Sequence, residues 1–225
     1  MGEFFNYDGP FFNALNKITD LIILNLLWLI CCIPVITIGA STTAMLSVTI
    51  KMQSYEVAYP WKDFFKAFKS NFKQSTIIWL IMLFLGCALV IDYYTFYQNP
   101  VLFTITMFII VMYLLILTFV FPLQAKFTNK IRDTFKNAAL LSIKHLPSTI
   151  IIIAMIGLAC YITSVFLELA FLWVLIAGSG LAYGASYFYN RIFNLYIKEE
   201  DKPVEPVGDD EWTLPDIEEK DEKDL

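Results

Sequence analysis

Four long apolar runs constrain the fold of this chain more than any other feature. They cover residues 76–94, 101–123, 148–167 and 171–189. A helix needs about 20 apolar residues to cross a hydrocarbon core of roughly 30 Å, and each run is close to that length. Short links join the first run to the second and the third to the fourth, so the sequence predicts two transmembrane hairpins. Only 16% of the residues are charged, against about a quarter in soluble domains. We therefore expect an all-α, polytopic transmembrane helical bundle.

The first 60 residues allow two topologies. Residues 18–33 are apolar enough to span, and Pro34 then interrupts the helix. Residues 38–55 form a second candidate, in which Lys51 lies only about 18 Å along a helix from Gly39. A full crossing requires Lys51 to reach an interface with its long side chain, as lysines do. This arrangement gives six spans, which we favour. The alternative is five spans with a re-entrant half-helix.

Lys and Arg are confined to every second connection. The links at residues 34–39, 92–100 and 168–170 contain neither. By the positive-inside rule the basic segments are cytoplasmic, which places the C-terminus in the cytoplasm. With six spans the N-terminus is cytoplasmic as well. The N-terminal residues lack both the basic start of a signal peptide and the Ser or Thr of a myristoylation motif, so neither is expected.

The last 27 residues differ sharply from the rest. Residues 199–225 hold 13 of the 21 acidic residues and only three of the 16 basic ones. Such an acidic, proline-containing segment cannot bury a core, and we expect a disordered cytoplasmic tail following a membrane domain at residues 1–198. The WTLPDI sequence within it is either a short binding motif or has no role.

Two basic segments between the apolar runs have helical periodicity. In WKDFFKAFKSNFKQS, aromatic residues recur every three or four positions with lysines between them, and NKIRDTFKNAALLSIKHLPS has a similar character. Both lead into Ser–Thr–Ile–Ile, which suggests a repeated unit of basic amphipathic helix and hairpin. Beside a membrane, anionic lipid headgroups are the natural partner, docking onto a cytoplasmic protein is second, and nucleic acid is not expected. The candidate contact residues are Lys62, Lys66, Lys69, Lys73, Lys130, Arg132 and Lys136.

The segment IPVITIGASTTAML, residues 33–46, combines a break with small polar residues. Pro34 ends or kinks one helix, and the small and hydroxylated residues after it suit the start of the next, where hydroxyls can cap free N–H groups. A helix N-terminus can also receive an anion or a sugar hydroxyl. The candidate capping or solute-site residues are Gly39, Ser41, Thr42 and Thr43.

No motif for catalysis, metal binding or nucleotide binding is present in the sequence. We therefore predict no enzyme activity and no cofactor. The four cysteines lie in apolar runs, without zinc spacing, and are predicted to be buried small hydrophobes. Polar residues within the spans, such as Asn25, Ser179 and Ser186, are predicted to serve helix packing.

Three sequence patterns resemble the YesL-like family of uncharacterised bacterial membrane proteins. They are the N-L-x-W segment, I-P-x-x-T-x-G-A-S-x-x-A and N-F-K-Q-x-T, and the resemblance covers roughly residues 3–198. Such proteins are typically encoded in Gram-positive bacteria near ABC-type sugar transporters. The resemblance implies a plasma-membrane accessory factor in carbohydrate uptake, with ABC transporter subunits as partners. It supplies no catalytic residue. The alternative is a small solute carrier or channel acting on its own.

One shorter similarity points in the same direction. Residues 138–147, AALLSIKHLP, are similar to the cytoplasmic coupling loop of ABC importer permeases, which also ends in I-x-L-P before a span. The segment lacks the Glu-Ala-Ala start and the internal glycine of that loop. It suggests contact with an ATPase subunit.

Overall fold

The computed structural model describes residues 10–54, 58–166, 171 and 173–197. The regular structure in these residues is entirely helical. Its elements are α1 (Pro10–Cys32), a 3₁₀ turn (Val35–Thr37), α2 (Ile38–Met52), α3 (Pro60–Phe96), α4 (Pro100–Lys126), α5 (Ile131–Lys144), α6 (Leu146–Val165), a π-helix (Trp173–Ala177) and α7 (Gly178–Phe193). The all-α prediction is confirmed for this part of the chain.

Prolines set several of the helix boundaries. Pro60 and Pro100 are the first residues of α3 and α4, where the missing N–H removes no helical hydrogen bond. Asn99 caps α4, because its side-chain oxygen accepts hydrogen bonds from the backbone N–H groups of Val101 and Leu102, at 3.2 and 3.4 Å. Such a cap satisfies donors that the helix itself leaves free.

Helix α2 lies at the centre of the bundle. Ten of its 15 residues are buried, and it contacts α1, α3, α4 and α7. Its first turns are rich in small residues, including Gly39, Ala40, Ser41 and Ala44. Small residues let helix backbones approach closely, which is the main source of packing energy between helices in lipid.

The outer faces of α3, α4 and α6 are strongly apolar. Phe84, Phe108 and Ile150 are examples of large side chains that lie exposed on these faces. An apolar surface of this extent is stable only when lipid or protein covers it. Within the part of the chain that the structure describes, five helices are long and apolar enough to cross a membrane. They are Ala14–Cys32, Val35–Met52, Pro60–Phe96, Pro100–Lys126 and Leu146–Val165. The chain is therefore compatible with a multi-pass membrane protein.

The predicted span at residues 171–189 has a different form. Its described part is a five-residue π-helix followed by the 16-residue α7, rather than one uninterrupted apolar helix. The sequence allows the segment at residues 35–52 either to cross the membrane or to be re-entrant. In the structure this segment is long enough to form a span. Six spans therefore stay a prediction, and the described residues contain five helices with the length and composition of a span.

The two basic segments adopt different structures. The first is the N-terminal part of α3, whose 37 residues extend about 55 Å, well beyond the roughly 30 Å hydrocarbon core. The second is the separate helix α5. It ends because His145 leaves helical geometry, with φ −113° and ψ 41°, shortly before Pro147. The acidic tail at residues 199–225 lies outside the described residues.

Candidate functional site

The turn at Pro34 is held by a threonine that sequence reasoning did not single out. The Thr37 hydroxyl lies 2.6 Å from the carbonyl oxygen of Cys31 and 2.7 Å from that of Pro34. Trp79 on α3 donates its indole N–H to the carbonyl oxygen of Val35 at 2.8 Å. The break between α1 and α2 is therefore stabilised from within the turn and from α3.

The sequence predicts that the hydroxyl groups of this segment cap α2 or bind a solute. In the structure they form hydrogen bonds with other protein groups. Ser41 donates to the carbonyl oxygen of Trp28 at 3.0 Å, and Thr43 donates to that of Gly39 at 2.8 Å. Thr42 accepts a 3.3 Å hydrogen bond from the indole N–H of Trp28. The helix begins earlier, at Ile38, and its N-terminal flanking residue Thr37 makes no side-chain cap. Ser41 and Thr42 thus connect α2 to α1.

Gly39 is at the closest approach between α2 and α3. A Cβ atom at this position would meet the Cβ of Trp79 and would lie 2.6 Å from the Ser75 carbonyl oxygen. Neither of these atoms can move without shifting α3. Glycine is therefore required at position 39 because α2 and α3 pack too closely there for a side chain.

An apolar cavity of about 510 Å³, open to the surface of the helical bundle, lies beside this segment. Side chains from α1, α2, α3, α4, α6 and α7 line it, among them Trp28, Thr42, Trp79, Phe121, Ile153 and Tyr189. Of the four predicted residues in the segment, only Thr42 lines this cavity. The structure does not gather Gly39, Ser41, Thr42 and Thr43 around one polar space.

Polar residues deep in the bundle join α7 to α1 and α2. The backbone N–H of Ser179 donates to the Asn25 side-chain oxygen at 2.9 Å, and the Thr49 and Ser186 hydroxyls lie 2.8 Å apart. The Asn190 amide donates to the carbonyl oxygen of Ile50 at 2.9 Å. These contacts agree with the prediction that polar residues in the spans serve packing.

The seven predicted basic contact residues are all solvent-exposed. On the same stretch of α3, Phe64 is fully buried and Phe65 is exposed. The lysines therefore lie on the outer surface of α3, and the basic residues of α5 are similarly placed. Lys66 also lines a polar pocket.

This pocket, which we call the lysine pocket, lies between the end of α2, the start of α3 and the end of α4. Its volume is about 380 Å³. The side chains that line it include Lys51, Asp63, Lys66, Ser70, Asn71, Gln74, Gln124, Lys126 and Thr128. The Lys51 ammonium group pairs with the Asp63 carboxylate at 3.0 Å. Sequence reasoning did not select Lys126, the asparagine or the glutamines, and considered Lys51 only for topology.

Side-chain amides form the inner wall of the lysine pocket. Gln124 is 2% exposed, and its amide N–H₂ donates to the side-chain oxygens of Asn71 and Gln74 at 3.3 and 3.1 Å. Gln74 in turn donates to the carbonyl oxygen of Asn129. The network fixes α3 to α4 and to the segment that follows α4.

A second, mainly apolar groove of about 620 Å³ lies between α5 and the end of α7. It is lined by residues that include Phe127, Leu140, Ile143, Lys144, Phe193 and Tyr196. Leu140 and Ile143 are 67% and 52% exposed. Both belong to the segment that is similar to a permease coupling loop. We call this the α5 groove.

The cysteines do not follow the sequence prediction fully. All four are free, and Cys31 and Cys32 are half-buried, but Cys87 and Cys160 are exposed. The last two lie on the apolar outer faces of α3 and α6, so a position in an apolar run does not imply burial in protein here. No group of three or more potential metal ligands occurs among the described residues.

Comparison with known proteins identifies one family. A family model described as "Protein of unknown function, DUF624" matches residues 21–93, from α1 through most of α3. The matching family is uncharacterised. Its match includes the break at Pro34, all of α2 and much of the lysine pocket. No curated protein and no solved structure matches the chain.

Proposed function

We propose that this protein is a YesL-like accessory factor of carbohydrate uptake, which acts in the bacterial plasma membrane through contact with an ABC-type sugar transporter. The proposal needs no enzyme chemistry and no cofactor. It takes the basic ends of α2, α3 and α4, together with α5, as the cytoplasmic side. Its support comes from the sequence resemblance and from one structural observation, the α5 groove.

The α5 groove has the features of a protein-docking surface. Leu140 and Ile143 lie one helical turn apart and expose their apolar side chains beside the groove. Exposed apolar residues beside polar ones mark many interaction sites. Because the same residues belong to the segment that is similar to a coupling loop, the ATPase subunit of the transporter is the partner that the groove fits best.

Co-purification from the native membrane tests the proposal. We expect the tagged protein to retain the ATPase or permease subunit of a sugar transporter, and the double variant Leu140→Ala/Ile143→Ala to lose most of it, because truncation removes the apolar contact. The matched control is Leu102→Ala/Ile105→Ala. It makes the same changes at the same spacing on α4, where both residues are also exposed.

Recovery of no transporter subunit by the unaltered protein would contradict the proposal. Equal loss in both double variants would show that the effect comes from general destabilisation. A strain that lacks the protein should also grow more slowly on the transported sugar, with normal growth on other carbon sources.

A carrier or channel acting alone is the alternative, and the cavity beside Thr42 is the observation that favours it. Its lining is largely apolar, whereas a sugar requires polar groups for recognition. Flux of a solute into liposomes that contain only this protein would establish the alternative. We expect no such flux.

A further inference from the structure

We infer that the lysine pocket is a binding site for a phosphate group, carried either by a membrane lipid or by a soluble phosphate compound. This inference goes beyond the proposed function and does not depend on the α5 groove. It rests on the charge of the pocket, on its neutral donors and on its position in the bundle.

The pocket concentrates positive charge. Three lysines and one acidic residue line it, which gives a formal charge of +2. The ion pair with Asp63 engages Lys51, whereas Lys66 and Lys126 form no ion pair with any residue that the structure describes. Lys66 and Lys126 both line the pocket, so a phosphate bound there would gain attraction from both charges. Lysine is a common phosphate ligand because it offers three donors and a full charge.

The remaining lining suits an oxyanion. Ser47 and Thr128 place hydroxyl groups on the pocket wall, and hydroxyls donate readily to phosphate oxygens. The Ser70 hydroxyl also lies on the wall but already donates to the carbonyl oxygen of Ala67 at 3.1 Å. The amides of Asn71, Gln74 and Gln124 are already linked to one another and to the backbone. This linkage makes the wall rigid, so little ordering is needed when a ligand binds.

The pocket lies where the apolar helices end. Lys126 is the last residue of α4, directly after its apolar run, and Lys66 precedes the apolar part of α3 by about two to three turns. Headgroups extend about 5–7 Å beyond each side of the hydrocarbon core, so Lys126 lies at their level and Lys66 lies farther towards the aqueous side. The volume of about 380 Å³ exceeds the size of a single phosphate and falls within the range of small-ligand sites.

Calorimetric titration of the full chain in a neutral detergent tests the inference. The probes are dihexanoyl phosphatidic acid, inorganic phosphate and, as a zwitterionic comparison, dihexanoyl phosphatidylcholine. We expect saturable binding of phosphatidic acid, and a loss of about tenfold or more in affinity in Lys66→Gln/Lys126→Gln, because two direct charge contacts are removed. The control Lys17→Gln/Arg191→Gln also removes two exposed positive charges. Neither residue lines the pocket or belongs to the predicted contact residues, and we expect less than about a twofold change.

A third variant distinguishes a direct effect on binding from an effect of misfolding. Asp63→Asn removes the one acidic residue of the pocket and frees Lys51, so we expect affinity to rise several-fold. A partly unfolded protein would not bind more tightly.

The probes distinguish the sources of the phosphate. Binding of phosphatidic acid without binding of inorganic phosphate assigns the site to a lipid headgroup, and comparable binding of both assigns it to soluble phosphate compounds. Absence of binding by both probes would overturn the inference. So would an equal loss of affinity in the pocket double variant and in its control. Neither result bears on co-purification with a transporter, which tests the proposed function separately.

Discussion

Pro122 lies inside α4 and has no N–H to donate to the carbonyl oxygen of Thr118, four residues earlier. The hydroxyl of Tyr189 on α7 donates to that oxygen instead, at 2.8 Å. In an apolar environment a free carbonyl oxygen is costly. A tyrosine from a distant part of the chain therefore satisfies the group that the proline leaves free, and the pair connects α4 to α7.

The variant Tyr189→Phe should lower the free energy of unfolding by about 1 kcal/mol, because it keeps the ring and removes only this hydrogen bond. Unfolding in mixed micelles measures the effect. Tyr187→Phe makes the same change at an exposed position of the same helix and should have almost no effect.

A double-mutant cycle makes this test specific. In a Pro122→Ala background the alanine N–H can bond to the Thr118 carbonyl oxygen, so the loss of the Tyr189 hydroxyl should cost less. An equal cost in both backgrounds would contradict the explanation.

Only part of this residue-level detail could be predicted. Polar groups in apolar runs must find partners, so a packing role for Asn25 and Ser179 followed from the sequence. The partner could not be deduced, because the two residues are 154 positions apart. The lysine pocket was missed for the same reason. Lys51, Lys66 and Lys126 come from three helices, and no local pattern brings them together.

At the scale of the elements, the contact between α2 and α3 depends on a single small residue. Gly39→Ala would place a Cβ against Trp79 and the Ser75 backbone, and the helices would have to separate. We expect a loss of about 1–3 kcal/mol in the free energy of unfolding. Gly157→Ala is the matched control, since a Cβ there meets nothing within 4 Å, and helix propensity favours alanine. If Gly39→Ala and Gly157→Ala had the same free energy of unfolding, the close approach at Gly39 would not be important for stability.

The lengths of the elements were predictable where local signals are strong. Chain breakers at Pro34, Pro60 and Pro100 mark real helix boundaries. No proline or glycine occurs between Pro60 and Gly86, which explains why the basic segment continues into the span as one helix. The π-helix before α7 had no comparable signal. The π-helix lies next to α1, and Gly178 directly after it leaves room for Asn25 and Trp28.

At the scale of the whole molecule, a central α2 is surrounded by helices whose outer faces are apolar, with both the lysine pocket and the α5 groove at the basic ends of the helices. The basic end carries the proposed sites for phosphate and for a transporter subunit. Both proposals require that α2 cross the membrane and that the basic end face the cytoplasm.

Single-cysteine labelling tests this topology most directly. In a background without the four native cysteines, Ile36→Cys and Gln98→Cys should react with a membrane-impermeant maleimide on intact cells. Lys62→Cys and Lys130→Cys should react only after the membrane is permeabilised. Labelling of Ile36→Cys and Lys62→Cys from the same side would show that α2 does not cross, and labelling of Lys62→Cys on intact cells would place the basic end outside and contradict the account.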